Sequence, residues 1–212
     1  MPTGASSATP RLRDRQAEAT RGALVEAARR LFVEQGFAAT GTQAIVAAAG
    51  VGTRGALYHH FPDKESLFLA VFEAIQADLG RDVLDRIGPP PTDPIRLLEA
   101  TASAFLDCVL ERPDAQALLR DGPKALGWEA FRSAEVRYGA APIAALLDRA
   151  VERGAVRPVP TGPMARAIVA VLDDAALAVT GADDPVEARA QWGATIDALL
   201  DGIAAPKPRR TR

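Results

Sequence analysis

The polar chemistry of this sequence is concentrated between Thr42 and Lys64, where Thr42, Gln43, Thr53, Arg54, Tyr58, His59 and Lys64 fall within 23 residues. Arg54 can offer two parallel donors to the edge of a guanine, and the Gln43 amide can read a base edge. The hydroxyls of Thr42, Thr53 and Tyr58, with His59 and Lys64, suit phosphate oxygens. Gly55 and Ala56 add almost no bulk at the same place, so a helix carrying them can approach another surface closely. This is the chemistry of a duplex-DNA reader. Catalytic arrangements are missing: no Ser-His-Asp order, no His-x-x-x-His, no paired cysteines and no glycine-rich phosphate loop after a strand. His59 and His60 are adjacent, and adjacent helical residues do not share a face, so they form no metal site. Asp173 and Asp174 diverge for the same reason. Neither an enzyme nor a cofactor is expected.

Residues of this kind need a brace and a probe held at a fixed angle. The sequence supplies both. A helix is expected from about Arg15 to Gln35, with Leu24, Ala28, Leu31 and Phe32 on one stripe and Gly36 as its stop. Thr42 is expected to cap a second helix, Gln43 to Ala49, anchored by Ile45 and Val46 and thinned by three alanines. Gly50 ends it. Thr53 caps a third helix, Arg54 to about His60, with Leu57 and Phe61 inward, and Pro62 stops it. Asp63 caps a fourth, starting at Lys64, whose charge joins free backbone N–H groups to favour a phosphate. This is a helix-turn-helix pattern.

Further helices are expected over Ile95–Leu110, Asp114–Leu119 (ended by Asp121-Gly122-Pro123), about Ala125–Arg153 (bent at Pro142), Met164–Thr180 and Val186–Ile203. No strand is convincing and no repeat of fixed period appears. The fold class is all-α: a three-helix head on a helical bundle, about nine helices in total.

The segment from about 20 to 72 resembles the DNA-binding domain of the tetracycline-repressor (TetR) family. The resemblance rests on Ala28, Leu31, Phe32, Gly36, Phe37, Thr40, Thr42, Ile45, Ala49, Gly50, Val51, Gly55, Leu57, Tyr58, Phe61, Lys64 and Leu67. One departure stands out: Gly52 is inserted between Val51 and Thr53, lengthening the turn by one residue. The resemblance implies a homodimeric repressor of a near-palindromic double-stranded DNA operator. It implies backbone contacts from Thr42, Thr53, Tyr58, His59 and Lys64, and base contacts from Gln43, Arg54 and Ala56. It also implies a small-molecule effector and a four-helix dimer interface built from the last two helices of each subunit. For that interface the candidates are Ile168, Leu172, Val179, Trp192, Ile196, Leu199 and Leu200; an intrachain core would use the same residues. Phe105, Cys108, Leu119, Trp128, Phe131, Tyr138 and Leu172 are candidates for a mostly apolar effector pocket, with Asp107, Arg120 or Asp173 as a polar point. Several of these aromatics fit an ordinary core equally well. A helical adaptor or an activator with the same head is the competing functional reading.

The bulk numbers fit this picture. The chain has 212 residues, 48% of them hydrophobic and 25% charged. Residues 1–70 carry eight Lys/Arg against six Asp/Glu, residues 71–204 carry 13 against 21, and residues 205–212 carry four and none. An acidic middle is repelled by DNA and would leave the basic end to face it. The expected organisation is a disordered basic arm over 1–14, the helix-turn-helix domain over 15–62, an effector-binding and dimerisation domain over 63–204, and a disordered basic tail over 205–212. The arm is either a minor-groove contact or a solvated tail. Cys108 is the one cysteine, which suits a reducing compartment and reads as a buried small residue or, alternatively, a redox sensor. No apolar run approaches the ~20 residues of a membrane span, and the first ten residues lack a signal-peptide core. A cytoplasmic location with no membrane partner is expected.

Overall fold

The computed structural model describes residues 12–206. The arm expected over 1–14 lies almost wholly outside the described residues, as does the tail from 207 onward. Among the described residues the chain forms ten α-helices: α1 (Leu12–Gln35), α2 (Thr42–Ala49), α3 (Arg54–His60), α4 (Lys64–Ile87), α5 (Pro94–Glu111), α6 (Pro113–Leu126), α7 (Trp128–Glu135), α8 (Ala141–Glu152), α9 (Thr161–Thr180) and α10 (Pro185–Ile203). A π-helical turn, Val136–Ala140, joins α7 to α8. The extended structure among these residues is a single bridge between Val156 and Ala204. The chain divides into two compact units between Val71 and Phe72, inside α4. No described helix is long and apolar enough to cross a membrane.

In the first unit, Leu24, Ala28 and Phe32 of α1 are buried with Ile45 and Val46 of α2, Leu57 of α3, and Leu67 and Phe68 of α4. Removing each of the larger side chains from water is worth roughly 1.5–3 kcal/mol. The rings of Phe32, Phe37 and Phe68 meet with centroids 5.1–5.5 Å apart. Thr40 is buried, and its hydroxyl donates to the carbonyls of Gly36 (2.8 Å) and Leu31 (3.2 Å), closing the loop after α1. One cap differs from expectation. Gly41, not Thr42, is the N-cap of α2, so Thr42 occupies the first helical position.

In the second unit, α9 is the central element. Ala165, Ala175, Ala176 and Val179 are fully buried along it, as are Leu147 and Ala150 on α8. Small side chains let the helix axes approach, so no large residue is needed to fill the gap. Arg189 ties α10 to α5, donating to Asp107 Oδ1 (2.8 Å) and Ser103 Oγ (2.8 Å).

Two expectations fail here for physical reasons. The stop expected at Asp121-Gly122-Pro123 does not occur, and α6 continues to Leu126 with Pro123 inside its last turns. Gly122 has a packing role inside the helix. A Cβ there would lie 2.5 Å from the Phe131 ring, so glycine marks a close approach and not a break. The expected long helix over Ala125–Arg153 is interrupted twice. Gly127 adopts φ +74°, ψ 157° and starts α7 afresh. The π turn then precedes Pro142, with the Ala141 N–H reaching back five residues to the Val136 carbonyl. Proline has no N–H and its ring clashes with the carbonyl four residues back. Widening the turn just before it relieves both problems.

Candidate nucleic-acid interface and effector cavity

The turn between α2 and α3 is built in three steps. The Gly50 N–H bonds to the Ala47 carbonyl (3.2 Å) and the Val51 N–H to the Val46 carbonyl (3.4 Å), with Gly50 at φ +68°. That is a Schellman stop. Gly52, at φ +80°, then sits at the centre of a three-residue turn closed by the Thr53 N–H on the Val51 carbonyl (3.0 Å). A positive φ in such a γ-turn suits glycine. Thr53 finally caps α3, its hydroxyl accepting from the Ala56 N–H (3.3 Å). The inserted residue is absorbed by one tight turn.

On the outer side of this motif Gln43, Thr53, Arg54, Gly55, Tyr58 and His59 are exposed, and Thr42 and Ala56 are half-buried. Arg54 lies along Tyr58: its guanidinium donates to the phenol at 3.5 Å and its Cζ is 5.9 Å from the ring centre. The Arg54 and Thr42 hydrogen bonds lower the Tyr58 pKa below the ordinary phenol value. Thr42, Arg54 and Tyr58 therefore form one continuous donor-rich patch across α2 and α3. Nothing within the head crowds Gly55, since a Cβ there would meet only the Thr53 hydroxyl at 3.7 Å. The rings of His59 and His60 meet edge to face at 5.2 Å.

Lys64 has intrachain partners that its spacing did not announce. Its ammonium donates to the carbonyls of Phe37 (2.8 Å) and Thr40 (3.2 Å) and lies 4.1 Å from the Phe37 ring centre. Two of its three N–H donors thus fasten the α1–α2 loop to α4. The start of α4 is also occupied: Asp63 Oδ1 accepts from the Ser66 N–H (2.6 Å), and Ser66 Oγ donates to the Asp63 carbonyl (2.9 Å). A carboxylate at that helix start opposes a phosphate there. Lys64 braces this head through those two carbonyls.

The second unit contains a cavity of about 460 Å³. Phe105, Leu119, Phe131, Tyr138 and Leu172 line it as expected, joined by Phe72 and Gln76 of α4. Cys108 and Trp128 do not line it. Cys108 is buried and borders a separate surface recess beside Arg86 and Glu111, where burial pushes its thiol pKa up. Trp128 is 65% exposed, and Arg132 lies over its ring. Of the expected polar points only Asp173 faces the cavity; Asp107 is held by Arg189, and Arg120 pairs with Asp121. Glu135 joins Asp173 there, a residue that sequence reading missed. Its helix, α7, reads as a stripe ending in charge, and nothing in its spacing announces a partner on α9.

On α9 and α10 an apolar groove of about 200 Å³ is lined by Met164, Ile168, Val171, Ile196, Leu199 and Leu200. Leu199 is 53% exposed. Four of the seven expected interface residues meet in this groove. Leu172 and Val179 turn into their own bundle, and Trp192 is half-buried outside the groove.

Residues 24–71 match the family model for bacterial regulatory proteins of the tetR family. Residues 95–203 match the tetracyclin repressor-like C-terminal domain. The chain belongs to the TetR family. The HTH-type transcriptional regulator AcrR of Shigella flexneri is 40% identical over 83 residues, covering 39% of this chain and 38% of its own. The HTH-type transcriptional repressor DhaR of Mycobacterium sp. (strain GP1) is 31% identical over 96 residues, covering 45% and 46%. Each match thus spans less than half of the curated relative. A crystal structure of a TetR-family transcriptional regulator from Pectobacterium atrosepticum is similar over 92% of this chain and 98% of its own, with a TM-score of 0.73 and 31% identity. This TetR-family chain is therefore a transcriptional regulator with a DNA-binding helix-turn-helix head. The residues that carried the resemblance in the sequence divide, in the structure, into the head core and its outward patch.

Proposed function

We propose that this TetR-family regulator is a cytoplasmic homodimeric repressor, released from a near-palindromic operator when a largely apolar small molecule fills the 460 Å³ cavity. The observation that carries the reading is the outward patch of Thr42, Arg54 and Tyr58 around the exposed start of α3. Arg54 reads a base edge, helped by Gln43 and by the low profile of Gly55 and Ala56. Thr42, Thr53, Tyr58 and His59 meet the phosphate backbone. Lys64 supports them from behind, through the loop that it fastens.

A two-fold operator needs a two-fold protein. The apolar groove on α9 and α10 supports an interface of two helices from each subunit, with Ile168, Ile196, Leu199 and Leu200 at its centre. In the operator-bound dimer the recognition helices sit roughly 34–36 Å apart, or a multiple of that distance. α4 lines the cavity through Phe72 and Gln76 and begins at Lys64. An effector that shifts α4 changes the helix spacing, with a coupling of ~1–3 kcal/mol.

The test is binding to the DNA flanking the protein's own gene, at stated salt. Arg54→Ala is expected to cost about 1–3 kcal/mol and to relax preference at one base pair in each half-site. Unchanged affinity and preference in Arg54→Ala with Tyr58→Phe reject the interface and favour a helical adaptor. Increased transcription on binding makes the protein an activator.

A further inference from the structure

The effector cavity has an uneven character that narrows what fits it. Most of its wall is apolar, and rings cluster in it: Phe72 meets Phe131 and Tyr138, each with centroids 6.1 Å apart, and Phe105 is also in the lining. The polar atoms are acidic. Asp173 of α9 and Glu135 of α7 both line the cavity. The Tyr138 phenol donates to Glu73 Oε1 at 2.6 Å, which turns the carboxylate charge toward that ring and enriches its face. The one cation among the lining residues is Arg81, which is 72% exposed and already paired with Asp78. Glu135 also borders a small neighbouring recess that Arg132 and Arg166 line. Asp173 has Glu135 beside it in the lining.

We infer that this cavity takes a lipophilic cation: an amine or quaternary ammonium nitrogen on a hydrophobic body. The inference rests on reading the cavity as the effector site. Aromatic faces attract a cation within about 6 Å of the ring, and more strongly when water is excluded. A carboxyl group set in a mostly apolar wall gains from a countercharge brought into the cavity. Burial first, and Glu135 second, push the Asp173 carboxyl well above the usual carboxylate range, so the empty cavity favours its protonated form. An arriving cation takes the place of that proton, which leaves to solvent, and the pair then holds the ligand by charge. An anionic ligand would meet Glu135, Asp173 and the Tyr138–Glu73 pair, and a neutral one would draw no charge attraction from them.

The experiment compares two probes on the full-length protein: a naphthylmethyl-trimethylammonium cation, and its uncharged isostere with carbon in place of nitrogen. Binding of each is followed by naphthalene fluorescence at fixed ionic strength. The wild type is expected to prefer the cation by about tenfold or more, the equivalent of one decade in Kd. Asp173→Asn and Glu135→Gln are each expected to shrink that preference several-fold while leaving isostere binding in place. Equal or tighter binding of the isostere overturns the inference, as does binding of neither probe or a preference that survives both substitutions. Failure of the underlying cavity reading looks different: both probes would bind Leu172→Trp, which fills the chamber, as well as they bind the wild type. The wild-type comparison requires no variant to fold.

Discussion

At the scale of single residues, side chains that look alike in sequence do different work. Spacing alone places both Tyr58 and Lys64 for phosphate. Tyr58 is exposed, whereas the Lys64 ammonium is spent on two backbone carbonyls and one ring. Lys64→Met keeps the stem against Phe37 and removes those bonds. Hydrogen bonds from a charged donor are each worth ~1.5–3 kcal/mol, so the head should lose stability on that scale in chemical denaturation. A phosphate-contacting lysine would instead leave stability unchanged and lower the salt dependence of operator binding by about one unit of slope. Asp173 gives a second residue-scale prediction. Its folded pKa is raised by burial and by Glu135. The native state therefore holds a proton that the unfolded chain gives up, and this contribution to stability is lost as pH rises through the folded pKa. Asp173→Asn should melt higher than the wild type at neutral pH, and the difference should close as pH falls into the ordinary carboxylate range.

At the scale of elements, the glycines decide where helices stop, bend or approach. Gly52 carries the inserted turn at φ +80°. Gly52→Ala should cost the head roughly 1–2 kcal/mol, the penalty of a left-handed conformation for a residue with a Cβ, and weaken operator binding with it. Gly55→Ala is the useful contrast. Nothing in the head crowds that position, and alanine favours helix by about 1 kcal/mol. Stability should hold or rise while operator affinity falls, because the added methyl stands where DNA approaches. A thermal melt read beside a binding titration separates the two cases. The π turn before Pro142 belongs to this scale as well. It delivers Tyr138 to Glu73 and into the cavity wall, as π turns often do near functional sites.

At the scale of the whole molecule, the proposed repressor depends on a two-fold that one chain can only prepare. The α9–α10 groove leaves Leu199 half-exposed beside Met164 and Ile168, an apolar face of the kind that marks association. Leu199→Asp should leave the monomer folded and shift sedimentation from dimer toward monomer. Affinity for a full operator should then fall far more than affinity for a half-site. Equal losses on both would place the interface elsewhere.

The head was legible in sequence because its information is local. Gly36, Gly50, Thr53 and Pro62 are stop and cap signals within a few residues of what they control, and Leu57 and Phe61 show their inward face by spacing alone. The bundle was legible as helices but not as a chamber. Whether Gly122 marks a stop or a close approach depends on Phe131, a ring on another helix. Whether Leu172 and Val179 face a partner or their own core depends on how α9 is rotated, and alanine-rich helices allow either. Cys108 and Trp128 have the composition of a pocket lining, yet one is buried beside a different recess and the other is turned to solvent. The sequence alone determined an all-α chain with a helix-turn-helix head and an outward patch at Arg54 and Tyr58, because periodicity and capping act over a handful of residues. Tertiary structure alone decided that Lys64 fastens the α1–α2 loop, and that Asp173 and Glu135 meet in an aromatic-walled cavity. Those outcomes rest on contacts between residues far apart in the chain, which spacing does not encode.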